Sequence, residues 1–382
     1  MFAIKFISFD EATGYGISSK SLISALISSG VDVTTIKITA GNPRSGGLIG
    51  DQDRGDGRHY DAVIVHTVPE YYPFWYQNEK RNNPDIRVWG YTAWETDKIP
   101  EHWPELLNLM DGIFVPCNWN KAVFEKCGVT SRVEVLPHVS EFHGETTGEK
   151  ARTTPSILRP FKDSFLFYTI CVWNERKNVE TLIKAFAEEF SDSEKVSLVI
   201  KTGERDWSKL KRNWRKFFRW DFGESSRAFS KLNVKNRRNL IHIAKNVSAE
   251  DISFLHKRGD CFVSFTRGEG WGMGAYEAAW CAKPVIITGF GGFLDFLPKA
   301  YSYHLNYEMT SVSTEFGKKS YDTSQQWAEV NIAHAKKTMR RVFENQQEAL
   351  EKGFKLQKHV REEFASAAIA EKCISILNGK KG

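Results

Sequence analysis

No C-x-x-C pair occurs among the six cysteines, Cys117, Cys127, Cys171, Cys261, Cys281 and Cys373. This spacing argues against a zinc knuckle and against a disulfide framework, and it fits a reducing compartment. No window reaches the roughly 18 consecutive apolar residues that a membrane-crossing helix needs. The opening MFAIKFISFDEATG also lacks the basic stretch and long apolar run of a secretory leader. A cytoplasmic protein is expected, with any membrane contact peripheral and on the inner face. Internal repeats with a period of about 20 to 50 residues are missing too, so a solenoid or propeller is not expected.

Charge of one sign is scarce overall, with 53 Lys and Arg against 47 Asp and Glu in 382 residues. It is unevenly placed. Between Arg205 and Arg238 there are twelve basic residues against Asp206, Asp221 and Glu224, so that the remainder of the chain is slightly acidic. The composition, 41% hydrophobic and 26% charged, is that of a folded globular protein. A chain of this length exceeds the roughly 100 to 200 residues usual for one domain, which implies two.

Short apolar runs alternate with helical patterns. AIKFISF is followed by the glycine turn TGYG and by ISSKSLISALISSG, a helix that ends at Gly30. Further strands are read at VDVTTIKI, DAVIVH, IRVWGYT, DGIFVP and RVEVLP, with WNKAVFEKCG as a helix among them. Periodicity stops over Ser140–Pro160, which has the composition of a linker. It restarts with SFLFYTICVW, NVETLIKAFAEEF, KVSLVIK, NLIHIAK, SAEDISFLHKRG behind a capping Ser, CFVSF and KPVIIT. This alternation predicts an α/β fold of two doubly wound Rossmann-like domains facing a central cleft. The expected division is 1–150, 151–345, and a helical segment 346–382 that packs back on the first domain. Gln325 to Leu377 reads as continuously helical in period.

The chemistry concentrates in FTRGEGWGMGAYEAAWCAKPVIIT. A strand runs into a glycine loop and then a helix, so unsatisfied backbone amides collect at a helix N-terminus, where anions are favoured. Gly270, Gly272 and Gly274 allow a diphosphate to approach the backbone, and Trp271 and Met273 belong to the same donor-binding loop. Glu277 lies one turn inside the helix, where it can accept from vicinal hydroxyls, and Glu269 addresses another part of the same ligand. A nucleotide sugar, which has hydroxyls at both ends and phosphates between, satisfies this pattern. Otherwise Glu269 is a solvated loop residue and Glu277 complements the helix dipole.

The stretch resembles the E-x7-E signature of retaining glycosyltransferases of the GT-B fold, in particular glycosyltransferase family 4, the glycosyl transferases group 1. The resemblance implies that Glu277 holds the nucleotide ribose and that Glu269 lies beside the donor sugar. GFGGFLDFL is similar to the family's glycine pair, here Gly291 and Gly292. VWNERKNVETLIKAF resembles the segment whose cations neutralise the donor diphosphate, which implies catalytic roles for Arg176 and Lys177. Many members carry another Arg slightly earlier, where this chain has Cys171, Val172 and Trp173, so Lys201 is a further candidate cation. DAVIVHTVPEYYP resembles the strand ending in a His that touches the donor sugar, here His66; the alternative is a hydrogen-bonded structural histidine. TGYGISS is similar to the first glycine loop and places Gly14 and Gly16 close to the cleft. As a dinucleotide fingerprint it fails, because Ser19 stands where the third glycine belongs. GYTAWETDKIPEHW also resembles a family segment, which implies Trp94 and Glu95 beside the acceptor; the alternative is a packed aromatic and a surface acid.

No cofactor or metal is implied. Asp51 to Asp53 imitates a metal-binding D-x-D inside a glycine-rich loop, whereas Arg and Lys supply the phosphate counter-charge. RDWSKLKRNWRKFFRWDFG places Trp207, Leu210, Trp214, Phe217 and Phe218 on one helical face, a pattern suited to an anionic membrane or glycan, or to packing on the second domain. No nucleic-acid module is recognisable, and no nucleic-acid partner is expected. The expected activity is metal-independent hexosyl transfer from a nucleotide-diphosphate sugar to a glycan or lipid-linked glycan, in polysaccharide or lipopolysaccharide synthesis. A nucleotide-sugar epimerase, a phosphorylase and a non-catalytic glycan-binding protein are the alternatives.

Overall fold

The computed structural model describes residues 1–10, 14–38, 58–140, 163–204, 224–232, 234, 237–313 and 320–379. Asp51 to Asp53, the linker after Ser140 and the aromatic run from Trp207 to Phe218 lie outside the described residues. The chain divides into two compact units, one formed by Met1–Glu141 with Glu362–Gly382 and the other by Phe142–Arg361.

The first unit contains β1 (Ala3–Phe9), α1 (Gly14–Ser28), β2 (Asp32–Ile38), β3 (Ala62–His66), α2 (Tyr72–Asn82), β4 (Arg87–Tyr91), α3 (Trp103–Leu107), β5 (Gly112–Val115), α4 (Asn118–Lys126) and β6 (Val133–Val135). Its strands form a parallel sheet in the order β2-β1-β3-β4-β5-β6. β3 is buried at every position, as a parallel strand covered on both faces must be. Gly30 closes α1 in the left-handed conformation (φ 81°), and the Val31 amide returns to the Leu26 carbonyl at 3.1 Å. The strand order reverses between β1 and β3, where Ser8 pairs with His66.

The second unit contains β7 (Phe165–Ile170), α5 (Val179–Glu189), β8 (Val196–Lys201), α6 (Glu224–Lys231), β9 (Leu240–Ile243), α7 (Ala249–Arg258), β10 (Cys261–Ser264), α8 (Met273–Trp280), β11 (Val285–Thr288), β12 (Tyr303–Leu305), β13 (Tyr307–Ser311), β14 (Gln326–Val330), α9 (Ile332–Glu344) and α10 (Gln346–Glu363). Its parallel sheet runs β12-β11-β10-β7-β8-β9 and reverses between β7 and β10. Ser248 caps α7 as its sequence implies, accepting from the Asp251 amide while the Asp251 carboxylate accepts from Ser248. One core cluster joins Phe167, Leu198, Val263 and Ile286 of the sheet to Leu182 and Phe186 of α5 and to Met339 of α9.

The C-terminal region departs from its helical reading. Gln326–Val330 is β14, paired antiparallel with β13 so that Met309 meets Ala328. Trp327, Ala328 and Val330 are buried, and the helical pattern begins only after Asn331, whose side chain accepts from the His334 amide. α10 lies so close to the turn after α8 that a Cβ on Gly353 would meet the Ala282 carbonyl oxygen at 2.3 Å. In the first unit α11 (Ser366–Leu377) packs on α1.

Candidate functional site

In the second unit the loops after β7 and β10, the strands flanking the reversal, are zipped together. The Arg267 amide donates to the Arg176 carbonyl at 2.7 Å, and Thr266 Oγ1 donates to the same carbonyl at 3.3 Å. This brings Arg176, Lys177 and Glu269 to one place. Arg176 Nη1 lies 3.1 Å from Glu269 Oε2 and 2.6 Å from the Gly268 carbonyl, and Lys177 Nζ donates to Glu269 Oε1. The Glu269 side chain is only 11% exposed. Burial alone would raise its pKa, but Lys177 and Arg176 outweigh burial and hold the carboxyl below the usual range. Two cations face one carboxylate, so the cluster carries a net positive charge that an anionic ligand can neutralise.

The glycines divide into two roles. Gly272 (φ 90°) caps α8, and the Ala275 and Tyr276 amides return to its carbonyl, each at 3.1 Å. The Met273 and Gly274 amides, just ahead of them in the same turn, have no intrahelical acceptor. Gly291 (φ 108°) has a different task, because a Cβ there would lie 3.0 Å from the Glu269 carbonyl oxygen, to which the Gly292 amide donates at 2.7 Å. The second glycine pair thus fixes the backbone of Glu269. Gly274 is required by packing, since its Cβ would stand 2.9 Å from the Ile170 carbonyl at the end of β7. Trp271 packs inward from the same loop. Its indole is buried against Phe296, with ring centroids 4.7 Å apart, and against Tyr276 at 5.2 Å, and so serves the aromatic core.

Glu277 occupies the inner end of the first turn of α8. His256 Nε2 lies 3.2 Å from Glu277 Oε2, and His256 Nδ1 lies 2.9 Å from the Tyr168 hydroxyl. With the phenol donating to Nδ1, Nε2 carries the proton and donates to the carboxylate. Glu277 is therefore anchored through one oxygen. Lys201, at the end of β8, is 9% exposed; its ammonium donates to the Thr202 carbonyl at 2.8 Å, and no carboxylate pairs with it among the described residues. Burial lowers its pKa. Cys171 lies within electrostatic reach of Lys177, Glu269 and Lys201, and burial pushes its thiol up to about 11, so it is an inert neighbour.

The first unit holds a second cluster at its own strand reversal. His66 is 1% exposed, stacks on Tyr91 at 4.1 Å and meets Ser19 Oγ through Nδ1 at 2.9 Å. The Tyr91 hydroxyl lies 2.6 Å from the Leu136 carbonyl, to which it donates, and 2.7 Å from His138 Nδ1. Burial, and then the neighbouring His138, hold His66 well below its ordinary pKa, and burial takes His138 down to about 3. Both rings are neutral. Gly14 opens α1, with open space where a Cβ would be, and Gly16 is buried one turn-fraction further along. Trp94 corresponds to the packed aromatic among its two readings. It is buried edge-on to Trp103 at 4.6 Å, and its Nε1 donates to Thr96 Oγ1 and to the Lys98 carbonyl. Burial raises the pKa of Tyr15, and the half-buried Glu95 nearby raises it further.

Several residues of these clusters carry no signature in the sequence. Arg267, Asn178 and Glu329 brace the cation loop, His256 and Tyr168 hold Glu277, and Ser19, Tyr91 and His138 surround His66. Each comes from a different element, so no local spacing links it to its partner. Only the strand-end position of Tyr91 and the proximity of Ser19 to the first glycine loop were available as hints. Among the described residues no group of three or more His, Cys, Asp or Glu side chains could hold a metal ion.

Residues 152–302 match the family described as glycosyl transferases group 1. The fold is shared with HepE of Anabaena, solved with UDP and glucose, at a TM-score of 0.68 and 13% identity, covering 99% of this chain and 100% of that one. Sucrose-phosphate synthase of Thermosynechococcus elongatus matches at a TM-score of 0.71 and 14% identity, with 99% of each chain covered. The trehalose-6-phosphate synthase OtsA matches at 0.67 and 10%, again over 99% of each chain. Among curated protein sequences none matches. The shared fold is the GT-B architecture, and the match to glycosyl transferases group 1 is confined to residues 152–302. The group 1 match falls within the second unit, over the span that contains Arg176, Lys177, Glu269 and Glu277.

Proposed function

We propose that the protein transfers a hexose from a nucleotide-diphosphate sugar to a glycan acceptor, with retention of the anomeric configuration and without a metal ion. Cleaving the anomeric bond leaves positive charge on the sugar and negative charge on the departing diphosphate. Arg176, Lys177 and the amides of Met273 and Gly274 are the groups that would receive the diphosphate charge, with Lys201 as a third cation nearby. Glu277, anchored by His256 through one oxygen, uses the other to read the ribose hydroxyls. Glu269 orients the cation pair and borders the donor sugar. His66, neutral and tethered through Nδ1, presents Nε2 to a sugar hydroxyl. Retention follows from attack on the face the diphosphate leaves, with the leaving phosphate taking the acceptor proton.

The observation that carries this reading is the Arg176, Lys177 and Glu269 cluster at the strand reversal, inside the span matching group 1 glycosyl transferases. HepE, which shares the fold, was solved with UDP and with UDP-glucose, which favours a uridine donor as the first to try. The proposed acceptor is a lipid-linked glycan, with the basic, aromatic segment 205–238 as the contact to an anionic membrane surface. Most of that segment lies outside the described residues, and its composition is what supports the role. The test is a thermal-shift and hydrolysis panel of UDP-, GDP- and ADP-sugars, followed by acceptor screening with the best donor and product analysis by NMR. One donor should raise the melting temperature and lose its sugar to a glycan with the anomeric configuration kept. An inverted product, or no response to any donor, would refute the proposal.

A further inference from the structure

β13 and β14 begin after residue 302, where the match to group 1 glycosyl transferases stops, and they form a two-stranded sheet of their own. Trp327 of β14 is buried with Val312 and the partly buried Tyr321 in a small separate core. This strand pair reaches both site loops. The Ala328 amide donates to the Arg267 carbonyl at 2.8 Å, and the Arg267 guanidinium lies over the Trp327 ring, 5.4 Å from its centroid. Arg267 Nε donates to Glu329 Oε2 at 2.6 Å, and its Nη1 donates to the Glu175 carbonyl at 2.6 Å. The other Glu329 oxygen accepts from Asn178 Nδ2 at 2.9 Å, and Ser313 Oγ donates to the Glu175 carboxylate at 2.9 Å.

The anchored positions are therefore Glu175 and Asn178 on one loop and Arg267 on the other. Arg176 and Lys177 are the two residues between the first pair, and Glu269 follows Arg267 by two positions. Asn178 holds a left-handed backbone (φ 52°), which asparagine adopts more readily than other non-glycine residues and which a contact to its side chain helps to hold in place. Glu329 supplies such a contact. Arg and Lys side chains are long and rotamer-rich, so a charge site built from them stabilises a ligand only as well as its supports restrict them.

We infer that the β13–β14 pair is a brace that sets the position of Arg176 and Lys177, with Glu329 and Arg267 as its positioning residues. The inference rests on the reading of those two cations as the diphosphate site. The brace acts on phosphate recognition, because neither Glu329 nor Arg267 needs to touch the ligand.

Calorimetric titration of the full chain tests this, using whichever of UDP, GDP and ADP binds the native protein most tightly, together with the matching nucleoside monophosphate. Glu329→Gln keeps the shape and the acceptor for Asn178 but removes the ion pair. Arg267→Lys keeps the charge but loses the two-directional grip, and serves as the second variant if the first folds poorly. Both should reduce the preference for diphosphate over monophosphate about tenfold, the scale of losing the support of a charged ligand-binding group. An unchanged preference in a folded variant would overturn the brace and leave the cation assignment standing. A native protein with no preference for any diphosphate would overturn both.

Discussion

Arg176 Nη1 and Glu269 Oε2 stand 3.1 Å apart although 93 positions separate them in the chain. With Lys177 on the second carboxylate oxygen, Glu269 holds two cations at the one edge of the sheet where the strand order reverses. A carboxylate with two such partners is costly to remove, because both charges are then left partly buried.

Lys177→Ala should lower turnover of the donor by about 100- to 1,000-fold if the ammonium stabilises the departing diphosphate. Steady-state kinetics check this, and a variant with native turnover would remove Lys177 from the chemistry. Glu269→Ala should lower the melting temperature, and added inorganic pyrophosphate should recover part of the loss by pairing the exposed cations.

Glu277→Ala should weaken nucleotide diphosphate binding by about 10- to 100-fold, the scale of losing hydrogen bonds to a charged group. His256→Phe should weaken it less, since the carboxylate survives and loses only its 3.2 Å tether. Titration calorimetry on both variants decides the order, and equal effects would mean that the tether matters as much as the acid.

Acid should destabilise the fold through its buried histidines. Burial places His138 at about 3 and His242 at about 4, against 6.5 in an unfolded chain, and holds His66 well below that value. Between these limits the unfolded chain binds more protons, so stability is complete above about pH 6.5 and falls as the pH drops, by about 1.4 kcal/mol per pH unit for each group. His138→Gln should flatten the dependence of melting temperature on pH by about one proton. An unaltered slope would show that His138 does not contribute.

Gly353→Ala should cost about 1–3 kcal/mol, because its Cβ would press on the Ala282 carbonyl oxygen from 2.3 Å and force α10 away from the turn. Ala282→Gly should act in the opposite direction, since Ala282 holds a positive φ of 56°. Denaturant unfolding of the two single variants gives both signs.

Deletion of Trp207 to Trp220 should reduce binding to vesicles rich in anionic lipid while leaving donor hydrolysis intact. Co-sedimentation measures the first and product release the second. Undiminished vesicle binding would assign those aromatics to packing on the second unit.

Much of the second unit was legible because its signals are local. A glycine loop between an apolar strand and a helix is read from a few adjacent residues, and Gly272, Met273 and Gly274 stand at the start of α8, where that pattern puts them. The strand QWAEV was hidden because its five residues border a long helical pattern and its partner lies in YEMTS, across 15 to 23 positions of chain. The packing of Trp271 was hidden for a related reason. An aromatic between two glycines looks exposed in sequence, and only the packing of Phe296 and Tyr276 shows that it is core.

The order of residues alone determined the alternation of strands and helices and the glycine loops, since these depend on spacing over a few residues. Tertiary structure alone decided which atoms meet: Glu329 on Arg267 and Asn178, His256 on Glu277, and Ser19 on His66. Those contacts join elements 21 to 151 positions apart, and their geometry comes from how the sheets are wound, which local spacing does not encode.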